Sequence, residues 1–174
     1  MIARLALLLL PALAAAQAPD AMLAAARDVM AAAEYCFLIT VDQDGQPQAR
    51  LMQQFPPTAN FTVWMGANPR SRKIAQIRAN PRATLACSHA AGPAYLTLNG
   101  SARVVDNAAE RRKHWRPDWD LHFPGGPTGP NFILIEFTPE RLELISAKHE
   151  IGIAPASLRP PALVRRGSQW VAAE

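Results

Sequence analysis

FTVWMGANPRSRKIAQIRANPRATLAC, residues 61–87, is the stretch from which the fold is read. Phe61, Val63 and Trp64 open it as a strand, and Gly66 to Pro69 form a turn. Ser71 suits a helix N-cap, and Pro81 ends the short helical run that follows. Residues 83–87 then leave as a second strand. The unusual feature is Arg72 and Lys73 directly after the cap. Cations at a helix N-terminus oppose the macrodipole, at a cost of a few tenths to about 1 kcal/mol each. A bound anion would account for them: free backbone N–H groups, a hydroxyl, a guanidinium and an ammonium make a compact phosphate site. A solvated basic helix is the other reading, and spacing alone leaves both open.

Working outward, residues 20–34 are alanine-rich, with Met22, Leu23, Ala26, Val29, Met30 and Ala33 at helical spacing. Residues 35–41 read as a strand, Asp42 to Gly45 as a hairpin turn and residues 48–55 as the returning strand. Arg50 lies within that strand beside Leu51, Met52 and Phe55, so it needs a partner or an exit to water. Two more strands are expected over 83–88 and 95–105, the second bent at Asn99-Gly100. A polar helix over 108–119, an apolar strand over 131–137 and a further segment over 141–146 follow. Residues 158–161 read as a linker and 164–172 as a short terminal strand.

Strand, turn, Ser71-Arg72-Lys73, then a helix closing in Ala79-Asn80-Pro81-Arg82 before another strand resembles the FMN-binding split β-barrels related to pyridoxamine 5′-phosphate oxidase. The resemblance runs from about Tyr35 to Ile145. It is nearest the general-stress-protein branch, through Trp115, the loop FPGGP at 123–127 and Thr138-Pro139-Glu140. It implies a mainly β (α+β) fold: a single split β-barrel over residues 35–146, with a helix over 17–34 before it and a tail over 147–174 behind. It implies that Ser71, Arg72 and Lys73 hold the phosphate of FMN and that Arg50 reaches the same phosphate. Leu51 and Met52 would face the isoalloxazine ring, with Trp64 and Met65 beside it. The resemblance further implies a homodimer with its flavins at the interface, and makes the FPGGP loop a candidate substrate-side wall. One position departs from the oxidase: Phe55 stands where that enzyme has a lysine. The vitamin B6 reaction is therefore not carried over.

Composition sets the outer limits. A chain of 174 residues, 49% of them hydrophobic, suffices for one domain with a real core. A net charge of +4 does not indicate nucleic acid. Arg4, the apolar run 5–10 and Ala14-Ala15-Ala16 fit a secretory signal over residues 1–16, cleaved before Gln17. The mature protein is then expected to be periplasmic or secreted, without a membrane anchor, and to take up FMN after export. Cys36 and Cys87 both lie in apolar strands. An oxidising compartment permits a disulfide, and two buried thiols are the favoured expectation.

No Ser-His-Asp or Cys-His arrangement and no zinc-like spacing can be read. His89 and His122 are candidates for handling a proton, and ordinary surface histidines otherwise. The expected function is that of an FMN-dependent oxidoreductase acting on an unidentified small molecule or electron donor. The rivals are a flavin-binding stress protein without turnover, and the same fold holding haem or a deazaflavin.

Overall fold

The computed structural model describes residues 18–88, 92–153 and 159–173. The expected signal segment and His89 lie outside them. Helix α1 (Pro19–Ala32) starts on a proline and buries Met22, Ala25, Ala26, Val29 and Met30. A hairpin of β1 (Cys36–Val41) and β2 (Pro47–Met52) follows. Its turn is fixed by Asp42, whose Oδ1 accepts from the amides of Asp44 at 3.0 Å and Gln46 at 2.9 Å. Strand β3 (Val63–Ala67), helix α2 (Arg72–Ala79), β4 (Arg82–Ser88) and β5 (Ala94–Val105) come next. Helix α3 (Ala108–Lys113) precedes the long β6 (Ile133–Ser146), and β7 (Ala162–Arg166) and β8 (Gln169–Ala172) end the chain.

All strand pairs are antiparallel, in the order β2-β1-β4-β5-β6-β7-β8, with β3 also on β6. The two halves of β6 have different outer partners: residues 133–137 pair with β3, and Arg141 to Glu143 pair with β7. Beyond β2 the chain bridges back to β3 through Gln54 and Met65, and the Phe55 amide donates to the Trp64 carbonyl at 2.9 Å. This contact closes β2, β1, β4, β5, β6 and β3 into a barrel, which is the expected split-barrel architecture.

Register shows what holds the barrel together. Leu38, Leu85, Leu98, Leu142 and Leu163 are successive cross-strand partners, and each is fully buried. Each such burial contributes roughly 1.5–3 kcal/mol. The next row is Met52, Cys36, Cys87, Leu96 and Leu144, all buried. Cys36 and Cys87 lie directly opposite each other, with Cα atoms 4.5 Å apart, and form a disulfide. The expectation of two free thiols is thus corrected. Neither sequence run carries the register that makes the pair adjacent, and that register is what decides bridging.

Several boundaries also move. The expected helix over 108–119 stops at Lys113 and resumes as a 3-10 turn, Pro117–Leu121, because Pro117 cannot continue it. The two expected segments over 131–146 are one strand. Pro139 is tolerated there because it falls in the gap between the pairings with β3 and β7, opposite the bulge at Asn99 and Gly100. The expected terminal strand is a hairpin that extends the sheet, with Trp170 packed edge-on against Phe61.

A second cluster, Trp64, Val105, Trp119, Phe132 and Leu134, is joined by Phe55, Trp115 and Phe123. It forms the base on which the 3-10 turn and the FPGGP loop sit. Gly66 makes room for it: a Cβ there would collide with the Trp119 ring and lie 2.8 Å from Phe132. Gly66→Ala is expected to cost roughly 1–3 kcal/mol, the usual penalty of overpacking. Urea denaturation followed by tryptophan fluorescence measures it, and an unchanged midpoint would show that the cluster yields.

Candidate functional site

The row of leucines ends on a charge. Leu38 of β1 is the register partner of Arg50, so the edge strand β2 turns this arginine inward. The alternation that exposes Leu51 leaves Arg50 half-buried. Its guanidinium is held by neighbouring side chains. Its Nη1 donates to Thr40 Oγ1 at 2.5 Å and its Nη2 to Gln76 Oε1 at 3.0 Å. Thr40 is fully buried, and its hydroxyl donates to the same Gln76 Oε1 at 2.6 Å. Gln76 lies on α2, whose Ile74 and Ile77 pack into the core. Strand β1, strand β2 and helix α2 thus meet at one guanidinium.

Arg72 and Lys73, in the first turn of α2, join it. Burial and the nearby Arg72 hold Arg50 below the usual arginine range. Burial and then Arg50 hold Lys73 below the usual lysine range. Among the described residues none of the three cations forms an ion pair. Like charges gathered without a carboxylate raise the free energy of the fold, and an anion would lower it.

Ser71 occupies the N-cap position, but no side chain caps α2. Its hydroxyl instead donates to the Asn68 carbonyl at 2.7 Å. The helix start therefore offers uncapped amides at its positive end. Beside it a cleft of about 830 Å³ opens between α2 and the β1–β2 turn, with Arg72, Gln76 and Gln48 on its walls. Its size falls in the range of small-molecule sites, roughly 300–1,000 Å³. Asp42 also lines it. That carboxylate lies below its ordinary pKa because it accepts from the Gln46 amide, and also from the Gln48 side chain and the Asp44 amide. The turn already uses its charge.

The other expected residues lie in different surroundings. Leu51 is 54% exposed on the outer face of the sheet, while Met52 and Met65 are in the core. Trp64 is buried and stacks on His114, with centroids 4.5 Å apart and planes 18° apart. Met65 presents no side chain to the outside, so only its backbone could meet a ligand. Sequence reasoning missed Thr40, Gln76 and His114, since Thr in a strand and Gln in a helix are ordinary choices. Phe55, the position that departs from the oxidase, makes edge contacts with His114 and Trp119 and lies under the Arg116 guanidinium. His122 is exposed, just beyond the 3-10 turn.

A family model described as pyridoxamine 5′-phosphate oxidase like matches residues 22–154. No curated protein matches the sequence. Among solved structures, a protein related to general stress protein 26 from Clostridium acetobutylicum superposes with a TM-score of 0.66 at 15% identity, over 88% of this chain and 94% of that one. A pyridoxamine 5′-phosphate oxidase-related, FMN-binding protein from Nostoc punctiforme PCC 73102 gives 0.63 at 17% identity, over 87% and 93%. A heme binding protein from Mycobacterium smegmatis gives 0.56 at 18% identity, over 69% of this chain and 52% of that one. At these identities the superpositions establish the fold.

Proposed function

Because the chain belongs to the pyridoxamine 5′-phosphate oxidase-like family, we propose that it binds FMN and works as an exported, homodimeric flavin-dependent oxidoreductase. The observation that carries this reading is the group of three cations, Arg50 on β2 with Arg72 and Lys73 at the uncapped start of α2, none of which forms an ion pair among the described residues. That donor set fits a phosphomonoester dianion. Arg50, Ser71, Arg72 and Lys73 would hold the phosphate. Leu51, Met52, Trp64 and Met65 would border the ring, Met65 through its backbone. Bound FMN supplies electron-transfer chemistry of its own, and the chain supplies anchoring, orientation and shelter from water.

Two further features support the assembly and compartment in this reading. Phe37 and Leu51 are register partners on the outer face, 50% and 54% exposed, and Tyr95 on the same sheet is 37% exposed. A second copy is the occupant that the family resemblance suggests for this apolar face. The disulfide suits an oxidising compartment. Phe55 itself carries no charge where the oxidase has its lysine, so vitamin B6 phosphates are not the proposed substrates. A flavin-binding stress protein without turnover is the nearest rival. It differs in one measurable respect: the reduced protein would pass electrons to acceptors no faster than free FMN does.

The absorption spectrum of the purified protein after incubation with FMN and with haemin tests the cofactor. Flavin bands that stay with the protein through gel filtration are expected. A retained Soret band with no retained flavin would overturn the reading in favour of haem.

A further inference from the structure

Arg50 is held by two neutral acceptors. Thr40 Oγ1 takes one of its donors and Gln76 Oε1 the other, and the Thr40 hydroxyl also donates to that Gln76 oxygen. The three groups close a triangle across β1, β2 and α2. A half-buried arginine is usually held by a carboxylate, which gives a stronger hydrogen bond. Here a carboxylate would cancel the charge that the site needs. The amide and hydroxyl fix the guanidinium's direction and leave its charge intact.

We infer that Thr40 and Gln76 are positioning residues of the anion site: they orient Arg50 toward the phosphate, and their neutrality sets the preference for a phosphorylated flavin over an unphosphorylated one. The inference rests on the FMN reading above. Thr40 is fully buried and reaches the ligand only through Arg50. The side chain of Gln76 turns its oxygen to Arg50 and Thr40, so the amide orientation is fixed by two donors.

The test is the ratio of riboflavin Kd to FMN Kd, read by flavin fluorescence quenching on the full mature chain. Thr40→Val and Gln76→Leu are each expected to lower this ratio about five- to tenfold, the effect of loosening one charge-assisted contact. Thr40→Ser, which keeps the hydroxyl, should restore the wild-type ratio. Gln76→Glu keeps the acceptor and the shape but adds a negative charge, and should lower the ratio by about tenfold or more. On an Arg50→Ala background, Gln76→Leu should change the ratio no further. A general structural role would weaken both flavins together and leave the ratio unchanged, which would overturn the inference. So would a ratio that falls again on the Arg50→Ala background. If wild-type protein binds FMN no better than riboflavin, the phosphate reading itself fails and the inference falls with it. If Arg50→Ala lowers the ratio while every Thr40 and Gln76 variant keeps it, only the inference fails.

Discussion

Replacing Cys36 and Cys87 together by alanine is expected to lower the unfolding free energy by about 4 kcal/mol. The figure follows from the sequence separation of 51 residues and the loop entropy that the cross-link removes from the unfolded chain. Both sulfurs lie in the inward row between Met52 and Leu96, and both cysteines are almost wholly buried. Alanine keeps the row apolar, where serine would bury a hydroxyl and confound the measurement. Urea denaturation of wild type and variant, without reductant, gives the difference. A thiol titration of the urea-unfolded wild type should find no reactive cysteine. A midpoint unmoved by the double replacement, together with two titratable thiols, would show that the pair is not bridged and remove one support for export.

The second large effect is on ligand binding. Arg50→Ala and Arg72→Ala are each expected to weaken FMN roughly ten- to hundredfold. A charge-assisted hydrogen bond is worth about 1.5–3 kcal/mol, and about 1.4 kcal/mol is a factor of ten. Riboflavin, which lacks the phosphate, should change little. Lys113→Ala serves as the control: its ammonium is exposed on α3, 3.9 Å from Glu110. Lys73→Met should act in two directions. Without ligand it removes a half-buried ammonium that burial and Arg50 both disfavour. The sign follows from a folded-state pKa held below the ordinary lysine value. Keeping Lys73 charged destabilises the fold at neutral pH, and that cost fades only as the pH rises through the lowered pKa. The ligand-free variant should therefore melt no lower than wild type at neutral pH, while its FMN affinity falls. Differential scanning fluorimetry with and without FMN separates the two. A variant that melts lower and binds FMN normally would mean that Lys73 is structural.

How much of this was legible in the sequence varies with the kind of contact. The β1–β2 hairpin was legible because Asp42 to Gly45 is a local turn code. The bulge at Asn99 and Gly100 was legible because a glycine inside a strand marks a bulge or bend. The start of α2 was legible because Arg72 and Lys73 break a local electrostatic rule. Contacts set by register were not. The disulfide, the leucine row ending on Arg50 and the closure of the barrel through Gln54 and Met65 depend on which strands lie side by side. Arg50 stands out as a charge in an apolar strand, yet nothing in the sequence names its partners. Thr40 lies ten residues away and Gln76 twenty-six, and both are neutral. Ser71 shows the reverse case: its N-cap position was legible, but its hydroxyl donates back to the Asn68 carbonyl of the preceding turn.

The most direct measurement of the central claim is the affinity of the wild-type protein for FMN and for riboflavin, titrated side by side at low and at moderate salt. Three cations converging on a phosphate predict FMN bound at least about tenfold more tightly than riboflavin. They also predict a preference that shrinks as salt screens the site. Equal affinities at both salt concentrations would contradict the account.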